Sequence, residues 1–292
     1  MSGIAILIVL SAALAHASWN IVAHGVSRIG LPFLWWGAVS STVVWAGVIP
    51  FTGGLGADLG SFALGVGVSG VLHVGYMLVL QRGYAVGSLS TVYAAARGSG
   101  PIISVILAIT VLGERPGWIE LVGVAVIIAG ILIMVGLERA PRTTPQPGMR
   151  RRRIDPGVAF GLLTGVAIAI YTIWDAHAVR AWHLTPVAFM VGTTLIEIPM
   201  YSIALGRRHR ELLPVLRRHW GRVLAFGVLS PLAYILVLVA ITIAPVALVA
   251  PMREISVVLV GLFGALVLRE GRAVWRIGAS VVVLAGIVLL AV

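Results

Sequence analysis

Two arginines lie inside apolar stretches of the chain, where a charged side chain needs a partner. Arg97 lies within VYAAARGSGPIISVILAITVLGE at 92–114, and Arg253 lies within LVAPMREISVVLVGLFGALVLRE at 248–270. A cation at membrane depth should face a counter-ion, a cavity or a ligand rather than lipid. Because a guanidinium binds carboxylate, phosphate or phosphonate through paired hydrogen bonds, we predict that both arginines contact an anionic or zwitterionic substrate. Ion pairing that only stabilises the bundle is the alternative.

Three carboxylates also lie in apolar stretches and could partner these arginines: Glu254 directly follows Arg253, and Asp175 and Glu197 lie in other stretches. Pairing and ligand binding do not exclude one another. A carboxylate held away from water can also take up a proton near neutral pH. We therefore predict Glu254 and Glu197 as proton-coupling candidates and Asp175 as a polar contact to the substrate.

Aromatic and amide side chains accompany these charges. Trp19 and Asn20 end the first apolar run in HASWN at 16–20, and Trp174 with Asp175 follows about the same distance into the second half. We predict that Trp19, Tyr93 and Trp174 form apolar or cation-binding walls, and that Asn20 and Tyr76 make polar contacts. The alternatives are an interfacial belt position for Trp19 and an interhelical hydrogen bond for Asn20.

The elements that must position these residues are transmembrane helices. The chain is 60% hydrophobic with a mean hydropathy of +1.06, well above a soluble domain. Apolar runs of about 20 residues recur at 2–23, 31–51, 59–80, 86–112, 117–137, 157–179, 185–206, 220–242, 246–268 and 273–292. The sequence therefore predicts an all-α membrane protein with ten transmembrane helices.

The two arginine-bearing segments indicate a duplication. At an offset of 156 residues, nine of 43 positions from 92 to 134 are identical to their counterparts, including Arg97 with Arg253 and Glu114 with Glu270. A basic, Pro-rich linker, ERAPRTTPQPGMRRRRIDP at 138–156, separates two halves, 1–137 and 157–292. With five helices each, the halves must insert in opposite orientations. Inverted repeats are typical of alternating-access transporters, whose site lies between the repeats near the midplane.

The distribution of charge predicts the orientation. All 21 basic residues are arginine, and seventeen of them fall in alternate connections and their margins, which the positive-inside rule places in the cytoplasm. Both termini are then extracytoplasmic. The linker arginines are expected to meet lipid headgroups rather than nucleic acid. The chain has no cysteine, and we expect neither a metal nor a cofactor.

The chain resembles the EamA-type permeases of the drug/metabolite transporter superfamily over its whole length. The residues that carry the resemblance are HASWN at 16–20, ARGSGP at 96–101, LGE at 112–114 and GVAVIIAGILI at 123–133, with PMREIS at 251–256 and LVLRE at 266–270 as echoes. The paired ARGSGP and MREIS elements are similar to a subgroup associated with phosphonate utilisation. The chain departs from the family in LRE, where LGE is usual, and in a first segment without the common lysine.

This resemblance implies two inverted five-helix repeats that move a small metabolite by alternating access. The expected function is a secondary permease of the bacterial inner membrane that exports a small polar, anionic or zwitterionic metabolite, with proton coupling. A flippase for a lipid-linked substrate is an alternative. A rhomboid-like serine protease is another, because residues 67–70 read G-x-S-G, but Ser69 has His73 only on its own predicted helix.

Overall fold

The computed structural model describes residues 1–23, 26, 29–87, 89–137, 156–266 and 273–291. Over these residues the regular structure is helical, with short 3-10 turns and without a β-strand. The α-helices are α1 (Gly3–Ala23), α2 (Leu31–Ala46), α3 (Leu59–Val86), α4 (Leu89–Thr110), α5 (Trp118–Leu137), α6 (Pro156–Ala181), α7 (Pro186–Leu205), α8 (Leu212–Ile243), α9 (Val246–Arg253), α10 (Ile255–Leu266) and α11 (Ala273–Ala291).

Length and composition make this an all-helical, multi-pass membrane protein. Among the described residues, six helical segments are long and apolar enough to cross a bilayer, and α2, α5 and α11 contain shorter apolar stretches. Each of the ten apolar runs of the sequence overlaps a helix, and the ninth run contains both α9 and α10. The number of crossings stays a prediction.

Local chemistry sets several helix ends. The Asp58 side chain caps α3 by accepting a hydrogen bond from the Ser61 backbone N–H at 3.0 Å. That backbone hydrogen bond lowers the pKa of the Asp58 carboxyl below its ordinary value. Pro186 begins α7, where its fixed φ suits the first helical turn and its missing N–H costs nothing. Gly113 adopts a φ of 69° just after α4 and allows the chain to turn.

The two arginine-bearing segments differ in their backbone. Glycine at 98 and 100 and proline at 101 favour a weakened helix in the first segment, but α4 continues as a helix through Pro101. In the second segment the helix is interrupted at Glu254, three residues after Pro251, and α9 and α10 meet there. Proline removes one helical N–H but does not by itself end a helix that neighbouring helices support.

Helices α5 and α11 pack closely through small residues that follow the 156-residue offset. A Cβ on Gly286 would lie 2.8 Å from the Gly123 carbonyl oxygen, and a Cβ on Gly130 would lie 3.2 Å from the Ala279 carbonyl oxygen. At that offset Gly130 is equivalent to Gly286, and Gly123 is equivalent to Ala279. The contact of Gly286 with Gly123 is therefore equivalent to the contact of Gly130 with Ala279. The contacts also place α5 and α11 antiparallel.

Connections meet in two groups. In the first, Thr185 donates a hydrogen bond to the Gly54 carbonyl oxygen, and Arg180 donates to the Ala244 carbonyl oxygen at 2.5 Å. The Met1 amino group also donates to the Leu290 carbonyl oxygen at 2.9 Å. In the second, Arg208 donates to the Ile29 carbonyl oxygen at 3.0 Å.

Several features of the sequence lie outside the described residues. They are His24, most of the linker (138–155) and Glu270. The predicted division into 1–137, 138–156 and 157–292 therefore stays a prediction.

Candidate functional site

A cavity of about 160 Å³ lies between helices of both halves. Helices α1, α2, α3 and α4 face α6, α7, α8 and α9 across it. Its polar and aromatic lining consists of His16, Trp19, Ser41, His73, Tyr76, Arg97, Tyr171, Thr194, Glu197, Tyr201, Phe226, Ser230, Tyr234 and Arg253. Two groups of charged side chains meet at this cavity.

The first group, which we call the basic cluster, comprises Arg97, Arg253, Glu254 and His16. Arg97 Nη1 donates to both Glu254 carboxylate oxygens, at 3.1 and 2.9 Å, and Arg253 Nη2 reaches Oε1 at 3.5 Å. Arg97 Nη2 lies 3.2 Å from His16 Nε2. Because a guanidinium can only donate, the His16 ring nitrogen must accept. Two guanidinium groups from opposite halves thus share one carboxylate, and the basic cluster carries one net positive charge.

Arg253 is less completely paired than Arg97. Its side chain is buried, with 7% of its surface exposed, and its Nε lacks a hydrogen-bond partner among the described residues. A buried donor without a partner costs free energy that a ligand could recover. Arg253 lines the cavity and is therefore the best-placed group in the basic cluster to bind an anion.

The second group, the acidic cluster, comprises His73, Asp175, Glu197 and Tyr234. His73 Nε2 lies 3.0 Å from Asp175 Oδ2, and His73 Nδ1 lies 3.8 Å from Glu197 Oε1. The Tyr234 hydroxyl donates to the same Asp175 Oδ2. Asp175 is fully buried behind these side chains, and its Oδ1 lacks a hydrogen-bond partner among the described residues.

Aromatic rings join the two clusters. Tyr171 packs on His73 with 4.2 Å between ring centroids, and Tyr76 and Tyr234 pack edgewise on Tyr171 at 5.5 and 6.1 Å. Trp19 closes another part of the wall, where it contacts Phe226 at 5.2 Å. These rings exclude water around the charges, which strengthens every ionic contact in the cavity.

Most of the side chains that the sequence singled out come together here. Five of them line the cavity: Trp19, Tyr76, Arg97, Glu197 and Arg253. Three more lie directly behind the lining. Glu254 contacts both arginines, Asp175 contacts His73, and the Tyr93 ring lies under the Arg97 guanidinium at 5.3 Å.

The remaining two predicted residues hydrogen-bond to backbone carbonyl groups and do not line the cavity. The Asn20 amide donates to the His16 carbonyl oxygen of its own helix at 2.7 Å. The Trp174 indole donates to the Gly65 carbonyl oxygen at 3.1 Å and packs against Trp182. Adjacent residues of a helix point about 100° apart. Here Trp19 lines the cavity while Asn20 bonds to its own helix, and Trp174 points to Gly65 while Asp175 points to His73.

Sequence reasoning missed several residues of the site. His16 and His73 appeared in the motifs without a role in binding, and Tyr171, Tyr201 and Tyr234 carried no predicted role. Histidine and tyrosine are common in packed helices, so residue type alone does not separate a site from a core. The one available signal was that Tyr234 and Tyr76 occur in similar contexts in the two halves.

The serine of the G-x-S-G motif is not arranged as a nucleophile. Ser69 is fully buried, and its Oγ lacks a hydrogen-bond partner among the described residues. His73 instead contacts the two carboxylates of the acidic cluster. A nucleophilic serine requires a base within hydrogen-bonding reach, so the structure gives the protease hypothesis no support.

Glu114 of the LGE motif supports the helix that carries Arg253. Its two carboxylate oxygens accept hydrogen bonds from the backbone N–H groups of Val246 and Ala247, both at 2.8 Å. Arg180 donates to Glu114 Oε1 at 2.6 Å and completes the contact. A carboxylate at a helix N-terminus satisfies free donors and complements the helix dipole. Glu114 therefore fixes α9, from the first half of the chain.

The comparisons with known proteins agree with this architecture. Residues 155–292 match the model of the EamA-like transporter family. No curated protein matches the sequence significantly. A solved structure described as "Crystal structure of protein" is similar with a TM-score of 0.78 and 15% identity, covering 99% of this chain and 96% of that chain. At this identity the likeness establishes the fold alone.

Proposed function

Residues 155–292 belong to the EamA-like transporter family, and on this premise we propose that the protein is a secondary transporter of a small polar metabolite. Members of this family are membrane transporters of the drug/metabolite type. In our proposal the chain forms ten spans in two inverted five-helix halves and moves its substrate by alternating access. We place it in a bacterial inner membrane, with both termini outside and with export as its direction.

The contacts between helices support the inverted arrangement. The small-residue contacts of α5 with α11 repeat when the halves exchange, and the two helices run antiparallel. The two groups of connections are also consistent with the inverted arrangement. One group contains Gly54, Thr185 and Ala244 together with the two ends of the chain, and the other contains Ile29 and Arg208. Alternate connections fall into the same group, as ten crossings require.

The charges of the cavity support an anionic or zwitterionic substrate, and this observation carries the proposal. The basic cluster has one net positive charge and an unpartnered donor on Arg253. Across the cavity, the carboxylate of Glu197 could receive a cationic group. A metabolite with an anionic end for Arg253 and an amino end for Glu197 would match both clusters. A phosphonate group could serve as the anionic end as well as a carboxylate could, in line with the phosphonate-associated subgroup that the sequence resembles.

The size of the cavity favours a small metabolite over a lipid-linked substrate. Its volume of about 160 Å³ is below the roughly 300–1,000 Å³ of pockets that bind drug-sized ligands. A lipid-linked substrate would need a larger site that opens between helices toward the bilayer. We therefore prefer a permease to a flippase.

A thermal-shift screen of the purified protein tests the proposal. The probes are amino acids, small carboxylates, phosphonates and organic amines, applied to the natural protein, Arg253→Gln and Arg208→Gln. A probe at 100 times its Kd stabilises the folded state by about 2.7 kcal/mol. We expect an anionic or zwitterionic probe to stabilise the natural protein and Arg208→Gln but not Arg253→Gln. Stabilisation by simple amines that persists in Arg253→Gln would contradict the proposal.

Transport is then measured with the stabilising probe in proteoliposomes. The labelled probe should accumulate on the far side of the membrane and be recovered chemically unchanged. Recovery of a cleaved or modified product would contradict transport and favour an enzyme. Arg208→Gln again serves as the control, because Arg208 lies on the exposed connection between α7 and α8.

A further inference from the structure

The acidic cluster presents a histidine between two carboxylates. Asp175 Oδ2 faces one ring nitrogen of His73 at 3.0 Å, and Glu197 Oε1 faces the other at 3.8 Å. A neutral imidazole has one N–H donor, whereas an imidazolium has two. One ring nitrogen lies at hydrogen-bonding distance from a carboxylate and the other lies within ion-pair distance of a second, so the arrangement favours a histidine that carries both protons.

The charge balance of the cavity leads to the same result. Arg97 and Arg253 contribute two positive charges, and Glu254, Asp175 and Glu197 contribute three negative charges. One additional proton makes this described set neutral, and an uncompensated charge at this depth is costly. Glu254 has two guanidinium partners, and His16 accepts from Arg97, so neither is placed to take that proton.

Among the described residues, the charged and titratable side chains around His73 come from five helices. They are Asp175 and Tyr171 of α6, Glu197 of α7, Tyr234 of α8, Arg253 of α9 and Arg97 of α4. The Tyr234 hydroxyl donates to Asp175 Oδ2 and thereby holds the carboxylate toward His73. Among the described residues, no group of three or more acidic or histidine side chains could hold a metal ion.

We propose that the acidic cluster is a proton-binding site, in which His73 carries a proton between Asp175 and Glu197 in the substrate-free protein. This inference goes beyond the proposed function, because it concerns proton binding without substrate. It also provides a coupling step for transport. Loss of the proton changes the total charge of His73, Asp175 and Glu197 from one negative charge to two. A cationic group of the substrate would therefore compete with the protonated His73 for the Glu197 carboxylate.

Nitrogen NMR of histidine-labelled protein in nanodiscs tests the site without any ligand. The resonances that His73→Gln removes identify His73, and we expect them to be those of a doubly protonated imidazole at neutral pH. His177→Gln is the matched control, because His177 packs against Trp174 and Trp182 and does not line the cavity. That control should leave the His73 resonances unchanged.

Two carboxylate variants decide whether the cluster holds the proton. In Glu197→Gln and Asp175→Asn, the His73 resonances should convert toward those of a neutral imidazole, and circular dichroism checks that each variant remains helical. A neutral His73 in the natural protein would overturn the proposal. So would an imidazolium that persists in both variants. A failed probe screen would count against the proposed transport function but would leave this measurement valid.

Discussion

At Glu254 one carboxylate is shared by guanidinium groups from opposite halves of the chain. Its side chain is 1% exposed, so its two charged partners depend on it for neutralisation. Removing one partner of a buried ion pair costs far more free energy than replacing the whole pair with apolar residues, because the remaining charge stays buried without a counter-ion. Glu254 also lies where α9 ends and α10 begins. A single residue is therefore the shared counter-ion of both arginines at the point where the helix is interrupted.

We predict that Glu254→Gln destabilises the protein by roughly 3–5 kcal/mol, because two buried arginines lose their shared counter-ion. Thermal unfolding in detergent measures the loss. Glu211→Gln is the matched control, since Glu211 pairs with Arg208 on the surface, where both side chains are about 45% exposed. The control should unfold at the temperature of the natural protein. Equal losses in both variants would show that Glu254 does not hold the arginines.

Residue type identified the charged residues of the site more reliably than the aromatic residues of its walls. Intramembrane charges were expected to have partners, and Glu254 pairs with both Arg97 and Arg253. The partner of each charge could not be read from the sequence, because it depends on how separate helices rotate and pack. Trp174 illustrates the difficulty, since it is adjacent to Asp175 in the chain yet points to Gly65.

At the scale of elements, apolar length was the reliable signal. The run predicted at 86–112 contains α4 at Leu89–Thr110, because burial of a membrane span requires a fixed length of apolar helix. The interruption at Glu254 was not predictable in detail. Proline occurs in both arginine-bearing segments, and only packing against neighbouring helices decided that α4 would remain continuous.

We predict that Gly286→Ala destabilises the contact of α11 with α5 by about 1–3 kcal/mol, the usual cost of overpacking. Its Cβ would lie 2.8 Å from the Gly123 carbonyl oxygen and 2.9 Å from the Ile127 backbone nitrogen. Gly278→Ala on the same helix is the matched control, because nothing lies within 4 Å of its Cβ, and it shares any change in helix propensity. The unfolding temperatures of the two variants are compared. An equal fall in both would contradict close packing at Gly286.

For the whole molecule, the two groups of connections define two ends of the helical bundle. Thr52 lies beside Gly54 at one end, and Arg207 lies beside Arg208 at the other. The excess of arginine in the connections of the second end predicts that this end faces the cytoplasm. This prediction rests on the distribution of charge.

Labelling of single cysteines provides the test of that orientation, and the absence of natural cysteine makes the background clean. Thr52→Cys should react with an impermeant maleimide in intact cells, because Thr52 is exposed at the end that we place outside. Arg207→Cys should react only after lysis, and the remaining arginines of that connection preserve its charge. The opposite pattern would reverse the orientation while retaining the inverted repeat. Labelling of both cysteines in intact cells would contradict the proposed ten-span topology itself, because α3 to α7 then cross five times between Thr52 and Arg207 and must place them on opposite sides.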